Sequence, residues 1–422
     1  MAPAATLAAA DAARKAGNAD EAVQICTQIL AGSSDTDEAL REHEGALTRL
    51  AGLYRDASDA DALAALVRDS RTFMGKLPKA KTAKLIRSLI DHFDPLAAAS
   101  PEARSTQVAV TRESIEWARE ERRVFLRQSL ESRLIGLYFD QAAYRAALPL
   151  IDSLLKELKR LDDKMVLTEV HLLESRVLHA LKNMPRAKAA LTSARTAANA
   201  IYCPPLLQAQ LDLQSGVLHA EDKDYTTAYS YFFETLEGLS AAEDSRAPLA
   251  LKYMLLCKIM LNLPDDVAAL VDGKMASKYG GRDVGAMKAV AEAHEKRDLQ
   301  AFEEALRSYK EELSNDPIIR THLAALYDTL LEQNLLRLIE PYSRVEIEHV
   351  AGLVRQPVRE VEQKLSQMIL DKVLAGILDQ GAGCLIVYDD APPDATYAAT
   401  LETLRHVGNV VDSLAAKAKA LS

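Results

Sequence analysis

The apolar positions near the C-terminus change their spacing several times, and each change predicts a new element. Between Asp316 and Glu340, leucines recur at spacings of three and four, which predicts one long amphipathic helix. Asp316-Pro317 supplies an N-cap carboxylate and a proline at the first helical position. Ser343 and Glu346 have the spacing of a capping box, which predicts a short second helix. Gln356-Pro357 then opens a third helix.

The spacing turns from helical to extended beyond the third helix. Gly376–Asp379 and Cys384–Tyr388 flank a glycine-containing turn, which predicts a β-hairpin. Two helices followed by a hairpin are the order of a winged helix. A last amphipathic helix, from Asp394 to Ser422, repeats apolar residues every three or four positions, at Tyr397, Leu401, Leu404, Val407, Val411, Leu414, Ala418 and Leu421. This seam suits another helix or a bundle, or it folds back on the chain's own helices.

The preceding part of the chain follows a repeat of about forty residues. Leu134 to Leu148 has the small and aromatic residues of a tetratricopeptide-like (TPR-like) helical hairpin. With Ala147 as the register mark, comparable positions recur at about one period, with one interval of about two, at Ala22, Ala62, Ala147, Ala187, Ala228, Val267 and Ala305. Such hairpins stack into a solenoid with long exposed surfaces. We therefore expect a mainly α protein that is a solenoid ending in a winged helix.

Composition and charge favour a protein partner over nucleic acid. Hydrophobic residues make up 49% of the chain and aromatic residues 5%, which suits closely packed helices. The formal net charge is −10, and Ser343 to Leu370, where a DNA-binding helix would lie, has equal numbers of cations and carboxylates. The wing strand Cys384–Tyr388 is apolar, which favours strand pairing with another protein. We expect no membrane segment and no signal peptide.

The motif search predicts no catalytic residue, cofactor or metal. The zinc-protease, P-loop and nucleophile-elbow patterns are all missing. Glu346 to His349 sets carboxylates beside a histidine, but Glu346 is better explained by the capping box. The four cysteines form no C-x-x-C pair, which indicates a reducing compartment, and those at 203, 257 and 384 are expected to be buried thiols.

Several runs of sequence resemble one family closely. They are Ala190–Thr196, Asn199–Pro205, Leu251–Asn262, Leu331–Leu335, Glu340–Val345, Lys364–Lys372 and Ile377–Gly381. These runs resemble the PCI-domain subunits of the lid of the 26S proteasome, and the similarity extends from about Lys79 to the C-terminus. Residues Met1 to Ala60 are expected to depart from the family pattern.

The resemblance implies a fold and a domain organisation. The fold is a right-handed solenoid of TPR-like helical hairpins that ends in a PCI winged-helix module with a small β-hairpin and a long C-terminal helix. The implied domains are 1–200, an N-terminal solenoid; 201–316, the helical-repeat part of the PCI domain; 317–390, the linker helix and winged helix; and 391–422, a C-terminal bundling helix.

The resemblance also implies a non-catalytic scaffold subunit that acts in ubiquitin-dependent protein degradation in cytoplasm and nucleus. Its PCI domain would join other PCI subunits of the lid, and its solenoid would brace the ATPase ring and the α-ring of the core particle. The interface residues predicted are Ile377, Leu385, Ile386, Val387 and Tyr388 in the wing, and Leu401, Leu404, Val407, Val411 and Leu414 in the last helix. The alternatives are a PCI subunit of the signalosome or of an initiation-factor complex, a winged-helix nucleic-acid binder, and a metal or cysteine enzyme.

Overall fold

The computed structural model describes residues 7–15, 18–32, 37–75, 77–271, 273, 278–314, 316–388 and 395–421. The chain divides into two compact units, Met1–Ala250 (unit 1) and Leu251–Ser422 (unit 2). This division falls inside the predicted 201–316 segment. No helix in the described ranges is long and apolar enough to cross a membrane.

Unit 1 is built from antiparallel helical hairpins. Its helices are α1 (Leu7–Lys15), α2 (Ala19–Leu30), α3 (Asp37–Asp56), α4 (Ala60–Met74), α5 (Lys79–Asp91), α6 (Phe93–Ala99), α7 (Pro101–Glu120), α8 (Val124–Asp140), α9 (Tyr144–Leu161), α10 (Lys164–Ala180), α11 (Met184–Asn199), α12 (Pro205–Glu221) and α13 (Tyr225–Ala241). Helix α10 packs against α11 in its own hairpin and against α8 and α12 in the neighbouring ones. This stacking confirms the predicted solenoid of hairpins.

The tight turns inside the hairpins have a common backbone geometry. Lys182 and Lys223 end the first helices of two successive hairpins with φ of 61° and 65°. The N–H of Asn183 then donates to the carbonyl of Leu178 at 2.9 Å, which is the Schellman closure of a helix C-terminus. Asn183 and Asp224 in turn cap the next helices with their side chains. One residue thus separates the two helices' caps, so the hairpins are compact.

The repeat register predicted from alanines is confirmed by burial. Ala22, Ala147, Ala187 and Ala228 are fully buried, and Val267 and Ala305 are also buried. Ala62 is half-buried. Small side chains at these positions allow the helices of a hairpin to approach closely, as the pattern predicted.

Helix α14 (Ala247–Met260) contains the division between the units. Unit 2 continues with α15 (Pro264–Val271), α16 (Arg282–Glu295), α17 (Leu299–Ser308), α18 (Lys310–Ser314), α19 (Pro317–Ile339), β1 (Arg344–Glu346), α20 (Ile347–Val354), α21 (Val358–Leu370), β2 (Gly376–Asp379), β3 (Cys384–Val387) and α22 (Ala395–Leu421). The long helix and the β-hairpin were both predicted.

Helix α19 begins where the sequence predicts. The Asp316 carboxylate accepts the N–H of Ile318 at 2.9 Å, which is the expected N-cap, and Pro317 is the first helical residue. The hydroxyl of Tyr253, on α14, donates to the other carboxylate oxygen at 2.6 Å. The same side chain therefore caps α19 and ties it to α14.

The capping box predicted at Ser343 and Glu346 is wrong. Glu346 precedes α20 without capping it, and its φ and ψ of −78° and 132° are extended. Residues Arg344 to Glu346 instead form β1, which pairs antiparallel with β3. The N–H of Ile347, the first residue of α20, donates to the carbonyl of Gly383 at 3.0 Å, so backbone pairing with the hairpin replaces a side-chain cap at that donor.

The sheet has the order β1-β3-β2, and all neighbours are antiparallel. The wing strand β3 is therefore the central strand, and both of its edges are already paired. The expectation that Cys384–Tyr388 pairs with a strand of another protein is wrong, because β3 is paired on both sides; among the described residues, the outer edges of β1 and β2 have no strand beside them. Gly376 in β2 allows close pairing, since a Cβ there would lie 2.6 Å from the carbonyl oxygen of Ile386.

Candidate interaction surfaces

The winged-helix module has one apolar core, and of the five predicted wing residues only Leu385 is fully buried in it. Helices α19, α20 and α21 pack on the sheet through buried residues that include Leu335, Val350, Val361, Leu365 and Leu385. Lys364 of α21 also pairs with Glu332 of α19 at 2.8 Å. The module is thus a rigid platform for any surface that it presents.

The five wing residues predicted as an interface differ in exposure. Ile377 and Tyr388 are about half exposed, at 52% and 50%. Ile386 and Val387 are partly buried. Leu385 is fully buried in the core of the module, so its side chain serves folding. Among these five, Ile377 and Tyr388 are the ones with most surface to offer, and the interface role stays a prediction.

Two exposed apolar residues next to the wing were missed by the sequence reasoning. Leu370 ends α21 and is 79% exposed, and Val373 follows it with 51% exposed. The turn between them is a Schellman closure, with Lys372 at φ 59° and the N–H of Val373 donating to the carbonyl of Met368. The sequence contained a signal for them, because Leu370 and Val373 are apolar but lie outside the apolar face predicted for the third helix.

Helix α22 presents its apolar seam to solvent. Leu401, Leu404, Val407, Val411 and Leu414 are all more than half exposed, at 52%, 62%, 54%, 57% and 61%. Every side chain of α22 whose burial is described is exposed. The helix does not fold back on the described part of the chain, and Asp394 and Ser422 lie outside it.

The exposed seam offers enough apolar surface to stabilise association with another protein. At 27 residues, α22 is about 40 Å long. Burying a fully exposed leucine or valine stabilises by about 1.5–3 kcal/mol, so the five seam residues, each a little over half exposed, amount to roughly 4–9 kcal/mol before the cost of association. Exposed apolar surface of this extent is typical of protein-binding sites, and the interface role of these five residues stays a prediction.

The carboxylates and cations of unit 1 mainly join neighbouring helices. Arg49 forms a two-pronged ion pair with Asp11, at 2.6 and 2.7 Å, between α3 and α1. Arg133 pairs with Asp94 at 2.8 Å and also with Asp91, beside a cavity of about 530 Å³. Such bidentate pairs fix the geometry of adjacent helices.

The thiols have the environment of structural cysteines. Cys26, Cys257 and Cys384 are buried, and Cys203 is partly buried. Burial raises the pKa of Cys257 to about 12, which disfavours the reactive thiolate at neutral pH. Burial was therefore predicted correctly for Cys257 and Cys384. The described residues contain no group of histidine, cysteine and carboxylate side chains placed to hold a metal ion.

Comparison with protein families finds three matches along the chain. Residues 3–141 match the 26S proteasome regulatory subunit RPN6 N-terminal domain. Residues 306–389 match the PCI domain, and residues 393–419 match the 26S proteasome subunit RPN6 C-terminal helix domain. The expectation that Met1 to Ala60 departs from the family is wrong, because the N-terminal match begins at residue 3 and runs through this segment.

Relatives are similar along nearly their whole length. The probable 26S proteasome regulatory subunit rpn6 of Schizosaccharomyces pombe is 52% identical over 411 residues, 97% of either chain. The 26S proteasome non-ATPase regulatory subunit 11 homolog of Arabidopsis thaliana is 53% identical over 397 residues, 94% of either chain. The 26S proteasome regulatory subunit RPN6 of Saccharomyces cerevisiae is 46% identical, over 93% of this chain and 90% of its own.

Proposed function

This chain belongs to the Rpn6 family of 26S proteasome regulatory subunits, also named non-ATPase regulatory subunit 11, and we propose that it is a scaffold subunit of the proteasome lid. The observation that carries the proposal is the exposure of the apolar residues Leu401, Leu404, Val407, Val411 and Leu414 of α22, within the residues that match the family's C-terminal helix domain. A helix that exposes five large apolar side chains along one face offers a surface that helices of a partner protein can bury. The comparisons do not favour the signalosome, the initiation-factor complex or a nucleic-acid binder.

The proposed mechanism is binding through large surfaces. The PCI module would contact other lid subunits that carry a PCI domain, through exposed residues such as Ile377 and Tyr388 and the free edges of β1 and β2. Helix α22 would bundle with helices of those subunits. Two separate contact surfaces on one chain give stronger joint binding than either alone, because the second contact forms within the complex.

We propose further that the subunit is non-catalytic. The buried thiol of Cys257 has a raised pKa, and carboxylates such as Asp94 and Glu332 are engaged in ion pairs between helices. These environments favour structural roles over nucleophilic or acid-base catalysis.

We also propose that unit 1 braces the ATPase ring of the regulatory particle and the α-ring of the core particle. A stack of hairpins offers a long surface, and ion pairs such as Arg49–Asp11 stiffen it. The subunit would act in ubiquitin-dependent degradation in cytoplasm and nucleus, where proteasomes containing it would be found.

The test removes α22 by ending the chain before Asp394 and measures incorporation into the lid. Tagged full-length and shortened chains are expressed in cells in place of the resident subunit, and lid subunits that co-purify are quantified. The matched control keeps α22 and changes two exposed polar residues beside the seam, Thr403 and Asn409, to aspartate. We expect the shortened chain to lose lid subunits while the control keeps them. Equal incorporation of the shortened chain would refute the bundling role.

A further inference from the structure

A groove in unit 2 lies between α19 and the pair α17–α18, and its cavity has a volume of about 610 Å³. On α19 the lining residues Arg320, Leu323 and Tyr327 recur every three or four positions, so they lie on one face of the helix. Leu306 of α17 and Leu313 of α18 line the groove opposite this face. The groove is well away in sequence from the wing and from the seam of α22.

The floor of the groove is apolar and held in place. Leu313 and Leu323 are almost fully buried, at 3% and 4% exposed. The Tyr327 hydroxyl donates to the carboxylate of Glu303 at 3.3 Å and accepts the side-chain N–H of Gln356 at 2.9 Å. These bonds fix the tyrosine ring before any ligand arrives, which lowers the entropic cost of binding.

The rim of the groove is basic. Arg307, Lys310 and Arg320 line it, against the single carboxylate of Asp328. Arg307 pairs with Glu303 at 3.3 Å. Within the described ranges, Lys310 and Arg320 have no carboxylate partner. This local excess of cations occurs on a chain whose net charge is −10.

We propose that this groove binds a short acidic segment of another protein. An apolar side chain of the segment would pack on the half-buried Leu306 and Tyr327, above the almost fully buried Leu323, and flanking carboxylates would pair with Lys310 and Arg320. Both parts of the groove favour the same ligand. Burial of an apolar side chain stabilises the complex at the floor, and negative charge on the ligand complements the cations of the rim. The inference does not depend on lid membership, since it rests on this groove alone.

The chemistry of the groove favours a peptide over nucleic acid. Three cations are few for a phosphate backbone, and the floor offers apolar surface where a nucleic acid would bring phosphates and sugars. A free inorganic anion is also disfavoured, because the cations stand on the rim and no buried donor converges on one point.

The experiment measures binding of defined peptides to the full-length chain by fluorescence anisotropy. The probe is a labelled nonapeptide with two central leucines flanked by glutamates and aspartates. Comparison peptides carry glutamines in place of the acids or serines in place of the leucines, and a labelled DNA duplex is a further arm. We expect the acidic leucine peptide to bind and each comparison ligand to bind at least about tenfold more weakly.

Two variants of the chain locate the site. Lys310→Glu with Arg320→Glu reverses the rim charge, and the matched control, Arg359→Glu with Lys372→Glu, makes the same charge change at exposed positions outside the groove. Ala324→Trp fills the groove from an exposed position and leaves the charges unchanged. We expect the rim reversal and Ala324→Trp each to weaken peptide binding about tenfold or more, while the control pair stays within about twofold of the unmodified chain.

Three results would overturn the proposal. The first is no binding of the acidic leucine peptide at about millimolar concentration, where even weak sites are filled. The second is equal weakening by the control pair and the rim reversal, which would mean a general charge effect. The third is tighter binding of the duplex than of the peptide, which would assign the groove to nucleic acid.

Discussion

Helix α12 packs on α13 so closely at Gly216 that a larger side chain there would overlap the ring of Phe232. A Cβ on Gly216 would lie 2.6, 2.8 and 2.9 Å from three atoms of the Phe232 ring. Phe232 is only 1% exposed, so its ring has no solvent to move into. Real Cβ contacts are longer than this, so Gly216→Ala must displace the ring or separate the two helices.

The net effect follows from two opposing contributions. Replacing a mid-helix glycine with alanine stabilises a helix by about 1 kcal/mol. Overpacking a filled core costs about 1–3 kcal/mol, and the short distances here place Gly216→Ala in the upper half of that range. We therefore expect Gly216→Ala to destabilise the chain by about 1–2 kcal/mol, which lowers the melting temperature by about 2–8 °C for a unit of this size.

Gly136 provides the matched control because it also lies inside a helix, α8, but a Cβ there would meet nothing within 4 Å. We expect Gly136→Ala to stabilise by up to about 1 kcal/mol. Thermal unfolding by calorimetry and circular dichroism measures both variants in the full chain.

A double-mutant cycle with Phe232→Leu identifies the source of the effect. If the ring is responsible, Gly216→Ala costs less in the Phe232→Leu background than alone, and the coupling exceeds about 1 kcal/mol. The reasoning fails if Gly216→Ala raises the melting temperature as Gly136→Ala does, or if the two substitutions are additive.

The remaining predictions concern the tail, the start of α19 and pH. We expect Leu404→Asp with Val411→Asp to change the free energy of unfolding of the isolated chain by at most about 0.5 kcal/mol, because both side chains are exposed. The same double variant is expected to recover no lid subunits from cells. A melting temperature clearly below that of the unmodified chain would show instead that the two side chains pack within the chain. Tyr253→Phe removes the hydrogen bond to Asp316 and lowers the free energy of unfolding in urea by about 1–2 kcal/mol; an unchanged midpoint would contradict this. Burial lowers the pKa of His294 from 6.5, so its stabilising contribution is present above pH 6.5 and is lost as pH falls through the lower folded pKa. We expect His294→Gln to reduce this loss of stability at low pH, measured as the melting temperature against pH. An unchanged slope of melting temperature against pH would exclude His294 as the source.

The features predicted correctly from the sequence depend on a regular repeat or on neighbours in the chain. The repeat register at Ala147 and Ala187 follows from a pattern that recurs after about forty residues, and the N-cap at Asp316 follows from adjacent residues. The β-hairpin was predicted for the same reason, since its strands are joined by a short turn.

The features missed depend on distant pairing. Ser343 and Glu346 have capping-box spacing, but β1 forms because its backbone pairs with β3 about forty residues later. The same pairing makes β3 central and buries Leu385, which no local pattern distinguishes from an exposed wing residue. The bond from Tyr253 to Asp316 spans 63 residues and likewise has no local signal.

The central claim is that this chain is a structural subunit of the proteasome lid. The most direct measurement replaces the resident subunit in cells with the tagged chain, purifies native complexes, and determines their composition and cross-links by mass spectrometry. We expect one copy of the chain with the lid subunits, and cross-links that join α22 to helices of other PCI-domain subunits. Recovery of the chain without any proteasome subunit would contradict it.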